Sequence, residues 1–272
     1  MPVKNMSKKP NPSKRKIKKK SLVAIGVMII GVIIVAYLSL NGGQTNSTST
    51  GQESIGQTIS SELYNQISGI SYSTLSNIGY GSATHLNPVL GSKLTSDGKP
   101  VVLYIGAEYC PYCAAERWAL VTALSKFGTF SNLNYMLSSS TDVYPGTPTL
   151  SFYGSTYTSQ YISFQSVEVQ DRAKNTLQTP TPDQGSVFNS YGQNGAIPFV
   201  DIADQYVFTG SQLSPSTLAG MSWSQIGGQL NDPNSDVAKA VDGAANIIVS
   251  DICKSTNGSP SYVCSQPFAK LN

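Results

Sequence analysis

Hydrophobic and polar positions divide the chain into stretches of different character. Residues 1–20 are dominated by lysine, and residues 22–40 then form an apolar run without a single charge. About 20 apolar residues cross a bilayer core of roughly 30 Å, so this run predicts a transmembrane helix over residues 21–40. Residues 41–60 are Gly, Ser, Thr, Gln and Asn with almost nothing to bury, which reads as a flexible linker. From residue 61 to 272 apolar positions recur at folded-domain density, enough for one domain with its own core.

Within that domain, period and punctuation predict the elements. Residues 58–80 read as partly helical, and residues 82–100 as loop with turn chemistry at Ser96-Asp-Gly-Lys-Pro100. Residues 101–105, Val-Val-Leu-Tyr-Ile, suit a central strand buried on both faces. Residues 111–127 read as a helix with Pro111 near its first position and Gly128 as its stop. Residues 133–137 follow as a second strand, which completes a predicted right-handed βαβ unit. A hairpin is expected at residues 195–202 and 205–210 around Ala203-Asp204. A helix capped by Asn234 or Ser235 is expected through Val237, Ala240, Val241, Ala244, Ile248 and Ile252.

Charge fixes the expected topology. Nine of the 18 Lys and Arg residues lie in residues 1–20, with no acid among them. The positive-inside tendency keeps that head in the cytoplasm and places everything after residue 40 outside. A cleaved signal peptide would end in small residues, and the Ala36-Tyr-Leu-Ser-Leu40 exit is a poor cleavage site, so an uncleaved single-pass cell-membrane anchor is expected. Beside a membrane span the basic head serves topology and lipid headgroups rather than nucleic acid. The rest of the chain holds nine basic against 15 acidic groups, a net of −6. Sequons at Asn46 and Asn257 permit glycosylation on the outer face.

The candidate chemistry sits at Cys110-Pro-Tyr-Cys113, between the predicted buried strand and the helix. Two intervening residues let both sulfurs share one helical turn, and a helix N-terminus stabilises a thiolate. Strand carboxyl ends are where open α/β sheets place ligand and redox chemistry. The pattern reads as a dithiol active site, with three uses open to it at this point: exchanging electrons, holding a metal or stapling a loop; no cofactor is expected. A zinc site would need two further ligands from Cys253, Cys264 and the single histidine, His85, whose spacing lacks a second Cys-x-x-Cys, so no metal is expected. His85 reads as a surface or packed imidazole. Cys253 and Cys264 read as a structural disulfide, with a shuttle pair feeding the dithiol as the alternative. Trp118 is expected in the core and Tyr112 on the rim of the exchange site.

A strand, a Cys-x-x-Cys opening the next helix and a later Ile197-Pro198 step into a hairpin together resemble the thioredoxin superfamily. In that family the proline is cis and its loop faces the dithiol. The resemblance implies Cys110 as attacking thiol, Cys113 as resolving thiol, and Pro198 with Ile197 as the facing, substrate-binding loop. Pro148 in Gly146-Thr-Pro-Thr-Leu150 is spelled as well for that role. A parallel crossover needs a dozen or more residues, however, and only the segment before Pro198 has room, with helix around residues 169–177. Residues 141–190 then become an insertion, with β-rich segments at 149–152 and 157–164.

More closely, Gly98 to Trp118, Ser138-Ser-Ser-Thr-Asp142 and Ile197-Pro-Phe-Val-Asp201 resemble an archaeal family described only as a domain of unknown function, number 929, whose members are anchored and thioredoxin-like. One departure from thioredoxin is Tyr104, six positions before Cys110, where a buried carboxylate is expected. Glu108 is the nearest acid, read as a solvated charge at a strand end. The expectation is an α/β, thioredoxin-like domain carrying a membrane-anchored, outward-facing thiol-disulfide oxidoreductase. Its partners would be cysteine-containing exported or membrane proteins, and lipid through the anchor. The rival reading is a non-catalytic binding or assembly module with structural disulfides.

Overall fold

The apolar run at 101–105 becomes the strand around which the domain is built. The computed structural model describes residues 54–84, 87–89, 91 and 93–271. The basic head, the apolar run at 22–40, the sequon at Asn46 and His85 lie outside the described residues. Helices α1 (Ser61–Ser68) and α2 (Tyr72–Ile78) come first, each opened by a serine cap. Short strands β1 (Asn87–Pro88) and β2 (Thr95–Ser96) lead into β3 (Lys99–Gly106), and helix α3 (Pro111–Leu124) follows. Four strands come next: β4 (Gly128–Ser131), β5 (Asn134–Leu137), β6 (Pro148–Ser151) and β7 (Thr156–Ser159). Then come β8 (Ser163–Glu168), α4 (Pro182–Tyr191), β9 (Phe199–Ile202) and β10 (Tyr206–Thr209). The chain closes with α5 (Trp223–Gln229), α6 (Asp236–Ser255) and α7 (Ser261–Cys264).

This is a mixed α/β domain. The main sheet runs β1-β10-β9-β3, with β2 pairing the first two residues of β3 and β8 the next six. β8 is parallel to β3, whereas β9 and β10 are antiparallel to their neighbours. Both faces of β3 are covered, which explains its unbroken apolar spelling. Val102 and Tyr104 face the larger core with α3 and α6; Val101, Leu103 and Ile105 face a smaller one closed by Val187, Phe188 and Tyr191 of α4. The β9–β10 hairpin turns at Ala203 and Asp204, both in the left-handed region, and Asp201 Oδ1 accepts the Asp204 N–H at 2.9 Å. Two further two-stranded sheets, β4–β7 and β5–β6, lie between α3 and β8 in sequence. Phe130 and Tyr157 from these sheets, and Phe152 just after β6, meet Phe164 of β8 in an aromatic cluster on the larger core.

Several expectations are corrected. The strand at 133–137 pairs antiparallel with β6, so it does not complete the βαβ unit. The parallel neighbour of β3 is β8, whose Ser-Phe-Gln-Ser-Val-Glu spelling does not read as a buried strand. β8 tolerates polarity because it is an edge strand, paired only to β3, and because its one buried charge, Glu168, is matched by Arg117. Within residues 141–190, β8 and α4 belong to the main layers. No helix forms at 169–177, because Asp171 Oδ1 accepts the N–H groups of Ala173 and Asn175 and folds the segment into a turn. The helix lies at α4, marked by a capping box between Thr181 and Gln184 with Pro182 at its first position. The end of the expected linker is also bound: Gly56, Gln57 and Ile59 exchange backbone hydrogen bonds with Leu133 and Tyr135, occupying the open edge of β5. Among the described residues no helix is long and apolar enough to cross a membrane.

Helix α6 lies against α3, and its cap is Ser235, whose hydroxyl accepts the N–H groups of Val237 and Ala238. Near its end Cys253 forms a disulfide with Cys264 across 11 residues. Closing a loop of that size is worth about 3 kcal/mol in the chain-entropy model. Cys264→Ser should lower the unfolding free energy by about that amount. Urea titrations of the variant and of the parent under non-reducing conditions measure it, and a change under about 0.5 kcal/mol would contradict a stapling role.

Candidate functional site

Cys110 caps α3. Its backbone is extended (φ −74°, ψ 122°), Pro111 occupies the first helical position, and its Sγ accepts the Cys113 N–H at 3.2 Å. Proline loses nothing there, since that N–H has no partner inside a helix. Both cysteines are free thiols, but they are not equivalent. Cys110 keeps 6% of its surface exposed and Cys113 none. A hydrogen bond from the Cys113 thiol, helped by the Cys113 N–H and by the positive charge of Arg117, pulls the Cys110 thiol below its ordinary pKa. Burial pushes the Cys113 thiol well above its own. At neutral pH the outer sulfur is thus the better thiolate and the inner one holds its proton.

The surroundings come from four segments. Ala107, from the turn after β3, packs with both cysteines, and Tyr109, Val169 and Ile197 close around them. The Ile197–Pro198 peptide is cis and leads directly into β9. Pro148, the rival for that place, starts β6 and accepts the Trp118 indole N–H at 2.9 Å. Tyr112 is 41% exposed and meets Tyr144 edge-on at 5.8 Å, so it lies on the rim. Trp118 is fully buried in the core. Cys253 and Cys264 lie in the larger core cluster, whereas Cys110 and Cys113 belong to a separate one. Among the described residues no group of His, Cys, Asp and Glu is arranged to hold a metal ion.

Beneath the dithiol lies a charged layer that the residue pattern alone does not announce. Arg117 Nε and Nη2 donate to Glu168 Oε1 and Oε2 at 2.8 and 2.7 Å, and Nη2 also donates to the Ala107 carbonyl at 2.8 Å. Both side chains are completely buried. One guanidinium therefore ties α3 to the edge strand and to the turn that carries Cys110. Arg117 lies four residues after Cys113, on the same helical face, which is the signal that could have found it. Glu168 gives no such signal, because its partner is distant in sequence.

Tyr104 occupies the face of β3 beneath α3, 5.8 Å from the Arg117 guanidinium, and burial raises its phenol pKa far above the ordinary value. Gly106 is required for this arrangement, since a Cβ there would overlap the Tyr104 hydroxyl. Glu108 is corrected from a solvated charge to a buried one. Only 6% of it is exposed, burial raises its pKa, and its Oε1 accepts the Ser151 hydroxyl at 2.6 Å rather than reaching a thiol.

Two outcomes follow from this layout. The pH profile of Cys110 alkylation by iodoacetamide should have its midpoint below that of an ordinary thiol, with Cys113 unreactive until the protein unfolds. A midpoint at or above the ordinary value would contradict the thiolate assignment. Arg117→Met should raise that midpoint and cost about 3–5 kcal/mol in urea unfolding, because Glu168 is left buried without a partner. The double change Arg117→Met with Glu168→Met should recover most of the stability without restoring the midpoint.

Among curated proteins and solved structures no relative matches this chain. The sequence profile of one family does, over residues 85–254, a span that holds the dithiol, the Arg117–Glu168 pair and the Ile197–Pro198 step. The chain belongs to the family described as Domain of unknown function (DUF929).

Proposed function

We propose that this protein is a thioredoxin-like thiol-disulfide oxidoreductase, held at the cell membrane by residues 21–40 and acting on the cysteines of exported or membrane proteins. The observation that carries the reading is the asymmetry of the two thiols: a slightly exposed, low-pKa Cys110 at a helix N-terminus above a fully buried, high-pKa Cys113. A structural disulfide has no use for that difference, whereas exchange depends on it. Support for the thioredoxin-like fold comes from the order β8-β3-β9-β10, parallel once and then antiparallel. α3 and α6 cover one face and α4 the other, and a cis-proline packs its preceding residue on the thiols. The lysine-rich head and the apolar run support the anchor and the outward-facing domain.

The chemistry is an exchange of sulfur partners. Cys110 thiolate attacks one sulfur of a substrate disulfide, forming a mixed disulfide and releasing the other sulfur as a thiolate that takes up a proton. Cys113 then loses its proton and attacks Cys110 Sγ. This closes the Cys110–Cys113 disulfide and frees the second substrate thiol, so the substrate gains two electrons and the protein loses two. The reverse sequence oxidises a substrate dithiol. Ile197, ahead of the first residue of β9 and packed on the thiols, offers strand-like backbone to an extended substrate.

Trapping tests this reading. Cys113→Ser should accumulate mixed disulfides with cellular proteins on non-reducing gels, whereas Cys110→Ser should accumulate none. A Cys113→Ser variant that traps no partner, together with a Cys110–Cys113 potential far below roughly −300 mV, would instead favour the binding-module reading.

A further inference from the structure

Beside the dithiol lies a cavity of about 350 Å³ lined by Ser139, Ser140, Thr141, Arg172, Ala173 and Lys174. Its two walls are the turn that follows β5 and the turn that follows β8, and both are fastened to the residue just before Cys110. The Ser139 N–H donates to the Tyr109 carbonyl at 2.8 Å, and Lys174 Nζ sits 4.8 Å from the Tyr109 ring centre. The cavity walls are therefore tied through Tyr109 to the turn that carries the attacking sulfur.

Its charge is unusual for this domain. Outside residues 1–20 the chain has only nine basic side chains against 15 acidic ones, and two of the nine lie here, two positions apart. Most other cations are already engaged within the domain. Arg117, Lys239 and Lys254 are in ion pairs, and Lys99 and Lys126 donate to backbone carbonyls. Neither Arg172 nor Lys174 has an ion-pair partner among the described residues. The neighbouring acids are engaged locally. Asp171 accepts from the backbone of Ala173 and Asn175, and Asp142 Oδ1 from the Val143 N–H. Arg172 is held through Nε, which donates to the Leu137 and Ser138 carbonyls at 3.1 and 3.0 Å, and its terminal nitrogens have no hydrogen bond among the described residues. Lys174 keeps its side chain at a backbone φ of 69°, where a glycine would sit with less strain. A planar guanidinium, an ammonium and three hydroxyl residues around one cavity form a donor set for a carboxylate.

We propose that this cavity is a carboxylate subsite that selects polypeptide substrates with an Asp or Glu two positions from the reacting cysteine. The proposal rests on the exchange reading above. It follows from the geometry of an extended segment laid along Ile197: side chains alternate, so the one two residues from the cysteine returns to the same face, about 7 Å along the chain. The cysteine meets Cys110, and its second neighbour meets the cavity. Recognition of one acidic side chain by two cations in an otherwise acidic domain repels most anionic surfaces and admits one in a single register.

The full-length chain, reduced, is reacted in single turnover with disulfide-linked peptides that differ only in carrying Glu, Gln or Lys two residues from the cysteine, on either side. The Glu peptide should react about five- to tenfold faster than the Gln peptide at low salt, the range expected for two solvent-screened charge contacts, and the Lys peptide more slowly still. Added salt should shrink the difference. Lys174→Glu, a change at an exposed position, should invert the order of Glu and Lys peptides, and Arg172→Gln should bring the Glu-to-Gln ratio close to one. Equal rates for the three peptides, or an unchanged order in Lys174→Glu, would overturn the subsite. Faster reaction of a small disulfide rich in carboxylates, such as oxidised glutathione, than of the Glu peptide would overturn the polypeptide assignment. Titration of the same chain with serine versions of the peptides separates the two levels of the argument. If no peptide exchanges but the Glu serine peptide binds more tightly than the Gln one, with that preference lost in Lys174→Glu, the exchange reading falls and the subsite stands. If neither exchange nor preferential binding occurs, both fall.

Discussion

The buried bidentate pair of Arg117 and Glu168 is the constraint on which the rest of this domain depends. Two opposite charges with no exposed surface are tolerated because they meet in a bidentate pair, and here a third bond fixes the Ala107 carbonyl, with Arg117 Nη1 left without a partner. That one guanidinium sets the edge strand against β3, orients α3 over the sheet and holds the turn from which Cys110 emerges. A hydrophobic trio could fill the same space, but it would not supply a positive charge to the underside of a thiol. The pair thus serves architecture and reactivity with the same atoms.

Around that layer the site is built by removal as much as by addition. Gly106 removes a side chain so that Tyr104 can extend, fully buried, beneath α3. Glu108 is drawn aside by Ser151 on β6. The small sheets between α3 and β8 are therefore more than an ornament on the layers: Thr149 donates to the Ala114 carbonyl at 2.7 Å, Pro148 receives Trp118, and the loop from Ser138 to Thr147 walls the cavity beside Tyr109.

Legibility in the sequence follows the range of the interactions. Strand β3, helix α3, the β9–β10 hairpin and the cap of α6 are encoded by neighbours in the chain, through apolar runs, Pro111, Ala203-Asp204 and Ser235, and these are readable. The dithiol is readable for the same reason, whereas Ile197 and Pro198, far from it in the chain, are reached only through the resemblance to the thioredoxin superfamily. β8 is not, because its polar spelling is acceptable only on a sheet edge and its buried acid only opposite Arg117, 51 residues away. Glu108 looks like a surface charge because Ser151 lies 43 residues off. The position of α4 is written locally, in Thr181-Pro-Asp-Gln184, but its capping signal competes with a weak apolar period at 169–177 that points to the wrong place.

The disulfide between Cys253 and Cys264 has a consequence in time. It staples the end of α6, the helix that covers α3, so the last cysteines to be synthesised secure the lid over the helix that carries the first. A nascent chain carries Cys110 and Cys113 before α6 exists, so the helix behind the dithiol lacks its cover until synthesis is almost complete. Docking of α6 then completes the core against α3, whereas Ala107, Tyr109, Val169 and Ile197 close around the two sulfurs. The late disulfide thus secures the back of the site, and the inequality of the first two cysteines is left to the segments in front.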